Sequence, residues 1–147
     1  MHTSAAERQQ HAHMVVHCRR RPYDVYVGRG CYGLAASKFM NPFKLAKDHS
    51  PADRDRVCDQ YETWLLANEP LLEDLKRELP GRVLACWCAP DRCHAHTLAA
   101  LAARHVVFLQ RLESMKTWRQ RGCPEQELAD AYAVCLTESD RDLLRRI

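Results

Sequence analysis

The sequence predicts a small α/β protein in which a small mixed sheet is flanked by helices. Short runs rich in β-branched and aromatic residues occur at 14–18, 23–27 and 82–87, and such runs favour strands. Between the second and third runs, apolar residues recur at helical spacing over 51–67 and 70–79. Strands that alternate with helices are typical of the α/β class. The first two strands are close enough in sequence to pair as a hairpin, and the third joins them after a helical crossover.

The ends of the predicted helices carry recognisable signals. Ser50 is a suitable N-cap with Pro51 at the first helical position, and Pro80-Gly81 ends the second helix. A third helix begins near Cys93 and runs to about Trp118. Two more helices are predicted at Pro124–Cys135 and Glu138–Arg146, the second of them capped by Thr137.

The 147 residues suit one domain with an appended segment. Residues 1–13 are polar and lack periodicity, so we expect a flexible tail; 14–105 form the α/β domain, and 106–147 a helical extension packed on it. The third helix carries a long apolar stripe, which must be buried against something. Either the extension folds back over it or a second copy of the chain covers it, so the protein is a monomer or a homodimer. The short loop 120–124 favours the fold-back.

Composition and charge indicate which partners and which cellular compartment to expect. A formal net charge of +3 is too small to indicate nucleic acid by itself. No apolar run approaches the roughly 18 residues of a membrane span, and the polar N-terminus does not resemble a secretory signal. We therefore expect a cytoplasmic protein with no membrane partner. Its eight cysteines are then thiols or metal ligands rather than disulfides. The Arg19-Arg20-Arg21 run is a solvated turn or a nucleic-acid patch.

Three unusual loops are predicted to line one cleft. Gly28-Arg29-Gly30 follows the second strand, Asn41-Pro42-Phe43 forms a turn, and Cys86 to His94 follows the third strand. Ligands of open α/β sheets bind where loops leave the carboxyl ends of the strands.

The stretch Cys-Trp-Cys-Ala-Pro-Asp-Arg-Cys-His supports three interpretations. Cys86, Cys88, Cys93 and His94 provide four ligands for tetrahedral zinc, although a Cys-x-Cys hook is tighter than the usual spacing. Alternatively, Cys93 is a nucleophile at a helix N-terminus, where the dipole favours the thiolate, and His94 or His96 is its base. The third interpretation is plain packing, because cysteine is often a small core residue.

Other residues of the predicted cleft suit an anionic ligand. Arg29 and Arg54 can bind phosphate or carboxylate in a forked geometry. Gly28 and Gly30 permit close backbone approach, and Asn41 is positioned to orient the ligand.

Several motifs in one order resemble the phage and bacterial family known as domain of unknown function 4326. They are YDVYVGRG, NPF, RDRVCDQY and GRVLACWCAPDRCHAHTLAALA, which span about residues 14–104. The family pattern is matched at Tyr26, Gly28, Arg29, Asn41, Pro42, Phe43, Arg54, Tyr61, Cys86, Trp87, Cys88, Pro90, Cys93 and His94. Phe39-Met40 stands where the family often has Trp-Gly, and His96 stands where it often has an acidic residue. The resemblance implies an α/β fold and an intracellular setting, but no activity.

From the residues we expect a domain that binds a phosphate-bearing ligand, either a nucleotide or a nucleic-acid end. The cleft would use Arg29 and Arg54 for the anion, with Cys93 and His94 for any conversion of the ligand. One alternative is a non-catalytic module whose cysteine cluster holds zinc as its cofactor. Another is a phage or host interaction protein that works through its C-terminal helices and has an inert cleft.

Overall fold

The structure, a computed structural model, describes residues 2–120 and 137–146. Its strands are β1 (Val15–His17), β2 (Val25–Tyr26) and β3 (Leu84–Cys86). The described helices longer than one turn are α1 (Ala5–Gln10), α2 (Pro51–Leu66), α3 (Glu69–Glu78), α4 (His94–Gln120) and α5 (Glu138–Arg145), and a 3₁₀ turn spans Ala12–Met14. The predicted α/β class is confirmed. No described helix combines the length and the apolar character that a bilayer crossing requires.

The sheet has the order β1-β3-β2, and β3 is parallel to both of its neighbours. Leu84 lies opposite Val15 on one side and opposite Val25 on the other. The expected hairpin between β1 and β2 is therefore wrong, and the described sheet is parallel rather than mixed. All three residues of β3 are buried, so this strand gains most by pairing on both edges. A hairpin of β1 and β2 would instead have left β3 at an edge.

The helix starts follow local capping chemistry. The Ser50 side chain accepts a hydrogen bond from the backbone N–H of Asp53, and Pro51 takes the first position of α2, as predicted. The Asn68 side chain caps α3 through the N–H of Leu71, which starts that helix one residue before the predicted Pro70.

The core lies between the sheet and helices α2, α3 and α4. Burying a large apolar side chain contributes about 1.5–3 kcal/mol each, so this layer dominates stability. Its fully buried members include Tyr61, Leu65, Leu72, Leu75, Leu84, Leu98 and Leu101.

The N-terminal residues differ from the flexible tail that we expected. Ser4 and Glu7 form a reciprocal capping box that starts α1. The hydroxyl of buried Thr3 donates to the Glu62 carboxylate of α2 at 3.0 Å. The Arg104 guanidinium of α4 pairs with Glu7 at 2.6 Å. These polar contacts attach α1 to two core helices. The Ser-x-x-Glu spacing at Ser4 is the sequence signal from which the start of α1 could have been predicted.

The last described segment lies against α3. Thr137 caps α5 through the N–H of Asp140, as predicted. The buried ammonium of Lys76 donates to the Thr137 hydroxyl at 2.7 Å and pairs with Asp140. Residues 137–146 therefore pack on the α/β domain within one chain. The helix predicted at Pro124–Cys135 lies outside the described residues, and a homodimer stays a prediction.

The stripe on α4 gives a test of its packing. Leu112 is 5% exposed, whereas Leu109, one turn earlier, is 42% exposed. Leu112→Ala should lower the free energy of unfolding by about 2–5 kcal/mol, because it removes buried methyl groups and leaves a cavity. Leu109→Ala, the matched control, should stay within about 1 kcal/mol of wild type. Urea unfolding measures both, and equal losses in the two variants would contradict this packing.

Candidate functional site

A cleft of about 400 Å³ lies where the chain leaves the carboxyl ends of β2 and β3. The loop after β2, the Asn-Pro-Phe turn and the loop after β3 all contribute to it, together with the first half of α2. Arg29, Arg54 and His94 all line this one concavity. The lining residues are Gly28, Arg29, Asn41, Phe43, Lys44, Leu45, His49, Arg54, Val57, Cys58, Cys86, Trp87, Cys88, Arg92, Cys93 and His94.

Arg29 is held in place by backbone carbonyl groups. Its Nη2 donates to the carbonyl oxygens of Asn41 at 2.8 Å and Phe43 at 2.9 Å. Among the described residues no carboxylate forms an ion pair with it. The guanidinium is therefore oriented by neutral groups while its charge stays uncompensated, which suits it to an incoming anion.

Asn41 positions the turn with its side-chain amide. Its Nδ2 donates to the Val57 carbonyl of α2 at 3.2 Å, and its Oδ1 accepts from the Phe43 N–H at 2.8 Å. Both ends of the amide are thus used within the protein. Asn41 also has a positioning role, because its carbonyl is one of the two that hold Arg29. Its predicted contact with a ligand stays a prediction, since Asn41 lines the cleft.

Gly28 is required by the ring of Tyr26. A Cβ at position 28 would lie 2.5 Å from the Tyr26 hydroxyl oxygen. That hydroxyl donates to the Arg29 carbonyl at 2.7 Å and accepts from Nε1 of Trp87 at 2.9 Å. Burial raises the pKa of Tyr26. Gly30, which we predicted to contact the ligand, is not among the lining residues; a Cβ there would lie 3.1 Å from the Ala36 nitrogen.

His94 joins the start of α4 to the end of β2. Its Nε2 lies 2.7 Å from the Val27 carbonyl oxygen, which only accepts, so Nε2 carries the hydrogen. The ring packs edge-on against Tyr61, with 5.0 Å between the ring centroids. Burial lowers the pKa of His94. At neutral pH it is therefore an uncharged imidazole with Nδ1 as its acceptor.

His96 completes the N-terminal cap of α4. The backbone N–H of Cys93 donates to its Nδ1 at 3.1 Å, which is the reach-back of a capping box with imidazole in place of carboxylate. Burial lowers the pKa of His96 as well. This contact explains how a histidine serves at a position where the family often has an acidic residue.

Three thiols meet beneath the cleft. The Sγ atoms of Cys86 and Cys93 are 3.0 Å apart, and the Cys88 thiol lies close enough to both to interact with them. The interactions with Cys86 and then with Cys93 lower the pKa of Cys88, and the nearby Arg54 guanidinium lowers it further. The interaction with Cys88 raises the pKa of Cys86, whereas the bond with Cys86 and then the interaction with Cys88 raise the pKa of Cys93. Within this cluster the thiolate form is therefore favoured at Cys88 and disfavoured at Cys86 and Cys93.

This charge distribution bears on the candidate nucleophile. Cys93 stands just before α4, as predicted, but it is only 4% exposed and its pKa is raised. Cys88 is half-buried and lines the cleft. Cys88 is therefore the most accessible thiol of the three, and a nucleophilic role for Cys93 with His94 stays a prediction. The sequence pattern carried no signal that distinguished the three thiols.

The predicted zinc ligands do not fit a metal as they lie. In the described part of the chain no group of three or more His, Cys, Asp or Glu is arranged to hold a metal ion. Thiolates on one tetrahedral zinc would be about 3.7 Å apart, farther than the Cys86 and Cys93 sulfurs. In addition, Nε2 of His94 is bonded to Val27.

Two further arginines frame the cleft. Arg54 on α2 lies 3.6 Å from the exposed Asp91 carboxylate, a loose ion pair. Arg92 binds Asp55 at 2.6 Å and Asp59 at 2.7 Å, which fastens the loop after β3 to α2. We did not predict a role for Arg92, although its place inside the cysteine motif was a usable signal.

The fold and site define a class: a small parallel α/β protein with a thiol- and arginine-lined cleft at its strand ends. The chain belongs to the family described as Domain of unknown function (DUF4326), whose model matches residues 9–104. The resemblance inferred from the motifs is thus confirmed. No curated protein and no solved structure matches the chain. Every lining residue falls within the family match, whereas α5 lies outside it.

The lowered pKa of Cys88 predicts an unusual alkylation profile. An ionised thiol of low pKa is also a weaker nucleophile, so the pH dependence of its rate is more informative than the rate itself. Iodoacetamide should modify Cys88 at a rate nearly constant from pH 5 to 8. Cys18, which is similarly half-buried, has a pKa raised by burial, and its rate should rise about tenfold per pH unit. Peptide mapping by mass spectrometry follows both, and parallel profiles would contradict the assignment.

The buried histidines predict a loss of stability in mild acid. The pKa of His94 and of His96 is lowered from the ordinary 6.5, so the unfolded chain binds protons that the folded chain does not. Stability from this source is complete above about pH 7. It falls as the pH drops through 6.5, by up to about 1.4 kcal/mol per histidine and pH unit. NMR titration of the two rings tests the cause, and midpoints at or above 6.5 would refute it.

Proposed function

We propose that the cleft binds a phosphate-bearing ligand of nucleotide size. One observation carries this proposal: four cationic side chains and no carboxylate stand among the described residues that line the cleft. The cations are Arg29, Lys44, Arg54 and Arg92. Arg92 is matched by two aspartates outside the lining, which leaves an excess of positive charge facing the concavity.

Size and surface support a nucleotide rather than a bare anion. About 400 Å³ falls in the range of small-molecule sites. Part of the lining is apolar, and a base or sugar can pack against it without losing hydrogen bonds. Phe43, Leu45, Val57 and Trp87 form that part of the lining.

Each cation has a distinct place in the proposed complex. Arg29, fixed by two carbonyls and without a carboxylate, would form forked hydrogen bonds to phosphate oxygens. Arg54 lines the cleft and lies close enough to Cys88 to lower the pKa of its thiol. Conversion of the ligand, as distinct from binding, would use Cys88 as its nucleophile.

The absence of disulfides among the described cysteines is compatible with the proposed cytoplasmic setting, because a reducing compartment keeps thiols free. The six cysteines within the described residues are all free, although two of the sulfurs lie at 3.0 Å. The zinc module gains no support from the described geometry. The interaction protein with an inert cleft stays a prediction.

Binding should depend on phosphate and on Arg54. Calorimetry is expected to show adenosine monophosphate binding at least tenfold more tightly than adenosine. Arg54→Gln should lower the affinity for adenosine monophosphate by about tenfold or more, because it removes a charge-assisted hydrogen bond worth about 1.5–3 kcal/mol. Its effect on adenosine should be small.

Arg82→Gln is the matched control for that experiment. Arg82 is exposed and precedes β3, at the opposite end of the strand from the cleft. This variant should bind as wild type does. Equal affinity for nucleotide and nucleoside, or equal losses in the two variants, would refute the phosphate site. Binding that requires added zinc would favour the metal module instead.

A further inference from the structure

A partly exposed aromatic and cationic surface borders the cleft. We call it the Trp87 platform and define it by Trp87, Tyr32, His17 and Arg19. The ring of Trp87 has the Tyr32 and His17 rings beside it, each at 5.6 Å between centroids. The Arg19 guanidinium stands 5.4 Å from the Trp87 centroid. Since Trp87 also lines the cleft, the platform and the cleft form one continuous surface.

Tyr32 has no evident role in folding. It is 82% exposed, the most exposed large apolar side chain among the described residues. Its φ of 44° lies in the left-handed region, which is unfavourable for a bulky residue and natural for glycine. Exposure and strain both oppose tyrosine here, so its ring is better explained by contact with a ligand.

The platform is also held rigid by hydrogen bonds. Nε1 of Trp87 donates to the Tyr26 hydroxyl at 2.9 Å, which fixes the edge of the indole. The Arg19 guanidinium donates to the Tyr32 carbonyl at 3.3 Å, which ties the two loops together. A fixed aromatic surface loses little conformational entropy when a ligand stacks on it.

Charge around the platform favours a polyanion. Residues 9–47 contain seven Lys or Arg and a single acidic residue, Asp24, in a chain with a net charge of only +3. Asp24 accepts from the Val83 N–H at 2.8 Å, at the start of β3 and away from the cleft. Lys38 is paired with Asp74 and Glu78. Arg19, Arg20 and Arg21 form no ion pair with a carboxylate within the described residues.

We infer that the Trp87 platform stacks a base of single-stranded nucleic acid whose phosphate occupies the cleft. This rests on the proposed function and names its ligand as a nucleic-acid strand or end rather than a free nucleotide. Aromatic faces beside arginines are the usual means of holding an unpaired strand, since every base has a face to stack. An acidic peptide would match the arginines but would not explain the exposed, strained Tyr32.

Fluorescence anisotropy with a labelled ten-nucleotide strand carrying a 5′ phosphate tests this inference. DNA and RNA strands are compared, and adenosine monophosphate binding is measured by calorimetry. The strand should bind at least tenfold more tightly than the mononucleotide, and its affinity should fall as salt rises. Tyr32→Gly should weaken strand binding by about five- to hundredfold, the range for one stacked base. Tyr32→Phe should retain it.

The controls separate stacking from folding. Tyr32→Gly relieves the left-handed strain, so its melting temperature should not fall. Arg19→Gln should lower the affinity for the strand, whereas Arg82→Gln should leave that affinity unchanged.

Four outcomes decide the matter. The expected pattern supports the inference. If the mononucleotide binds but the strand binds no more tightly, or is indifferent to Tyr32, the platform inference fails and the cleft stands. If neither ligand binds, the proposed function fails and the inference falls with it. If an acidic peptide displaces the strand and depends equally on Tyr32, the platform is a protein-docking surface and the inference is overturned.

Discussion

The position of β3 determines how the rest of the molecule is arranged. Because β3 pairs in parallel with β1 on one edge and β2 on the other, all three strands point the same way. The carboxyl ends of the three strands therefore lie at the same end of the sheet, and the loops that follow β2 and β3 must lie together there. The cysteine motif continues directly from β3, so it comes to the centre of this end.

Much of the family motif stabilises the protein itself. Asn41 holds the turn and, through its carbonyl, Arg29; His96 caps α4; Gly28 makes room for Tyr26, which in turn anchors Trp87. The charged side chains that line the cleft are cationic, and the rest of the lining is largely apolar or sulfur-bearing. The motif thus builds a rigid frame around an uncompensated positive charge, as an anion site requires.

Local patterns predicted what local chemistry decides. Ser50 and Thr137 cap their helices as expected. The glycine- and proline-containing loops predicted the position of the cleft because loops that leave the same end of a sheet lie close together. The prediction of a β1–β2 hairpin was wrong because buried β3 pairs on both of its edges. A short window of sequence does not show which strands become its neighbours. The thiolate was placed at Cys93 because a helix N-terminus was visible in the sequence. The convergence of three sulfurs, which favours Cys88, is a tertiary effect.

The central claim is that Arg29 and Arg54 hold a phosphate at the strand ends. The most direct measurement is a ¹⁵N NMR titration with adenosine monophosphate, observing the arginine Nε–Hε signals and the backbone N–H of Gly28. The account predicts saturable shifts at Arg29, Arg54 and Gly28, and none at Arg82. Shifts confined to Arg20, Arg21 or Arg82, or no saturable shift at all, would contradict it.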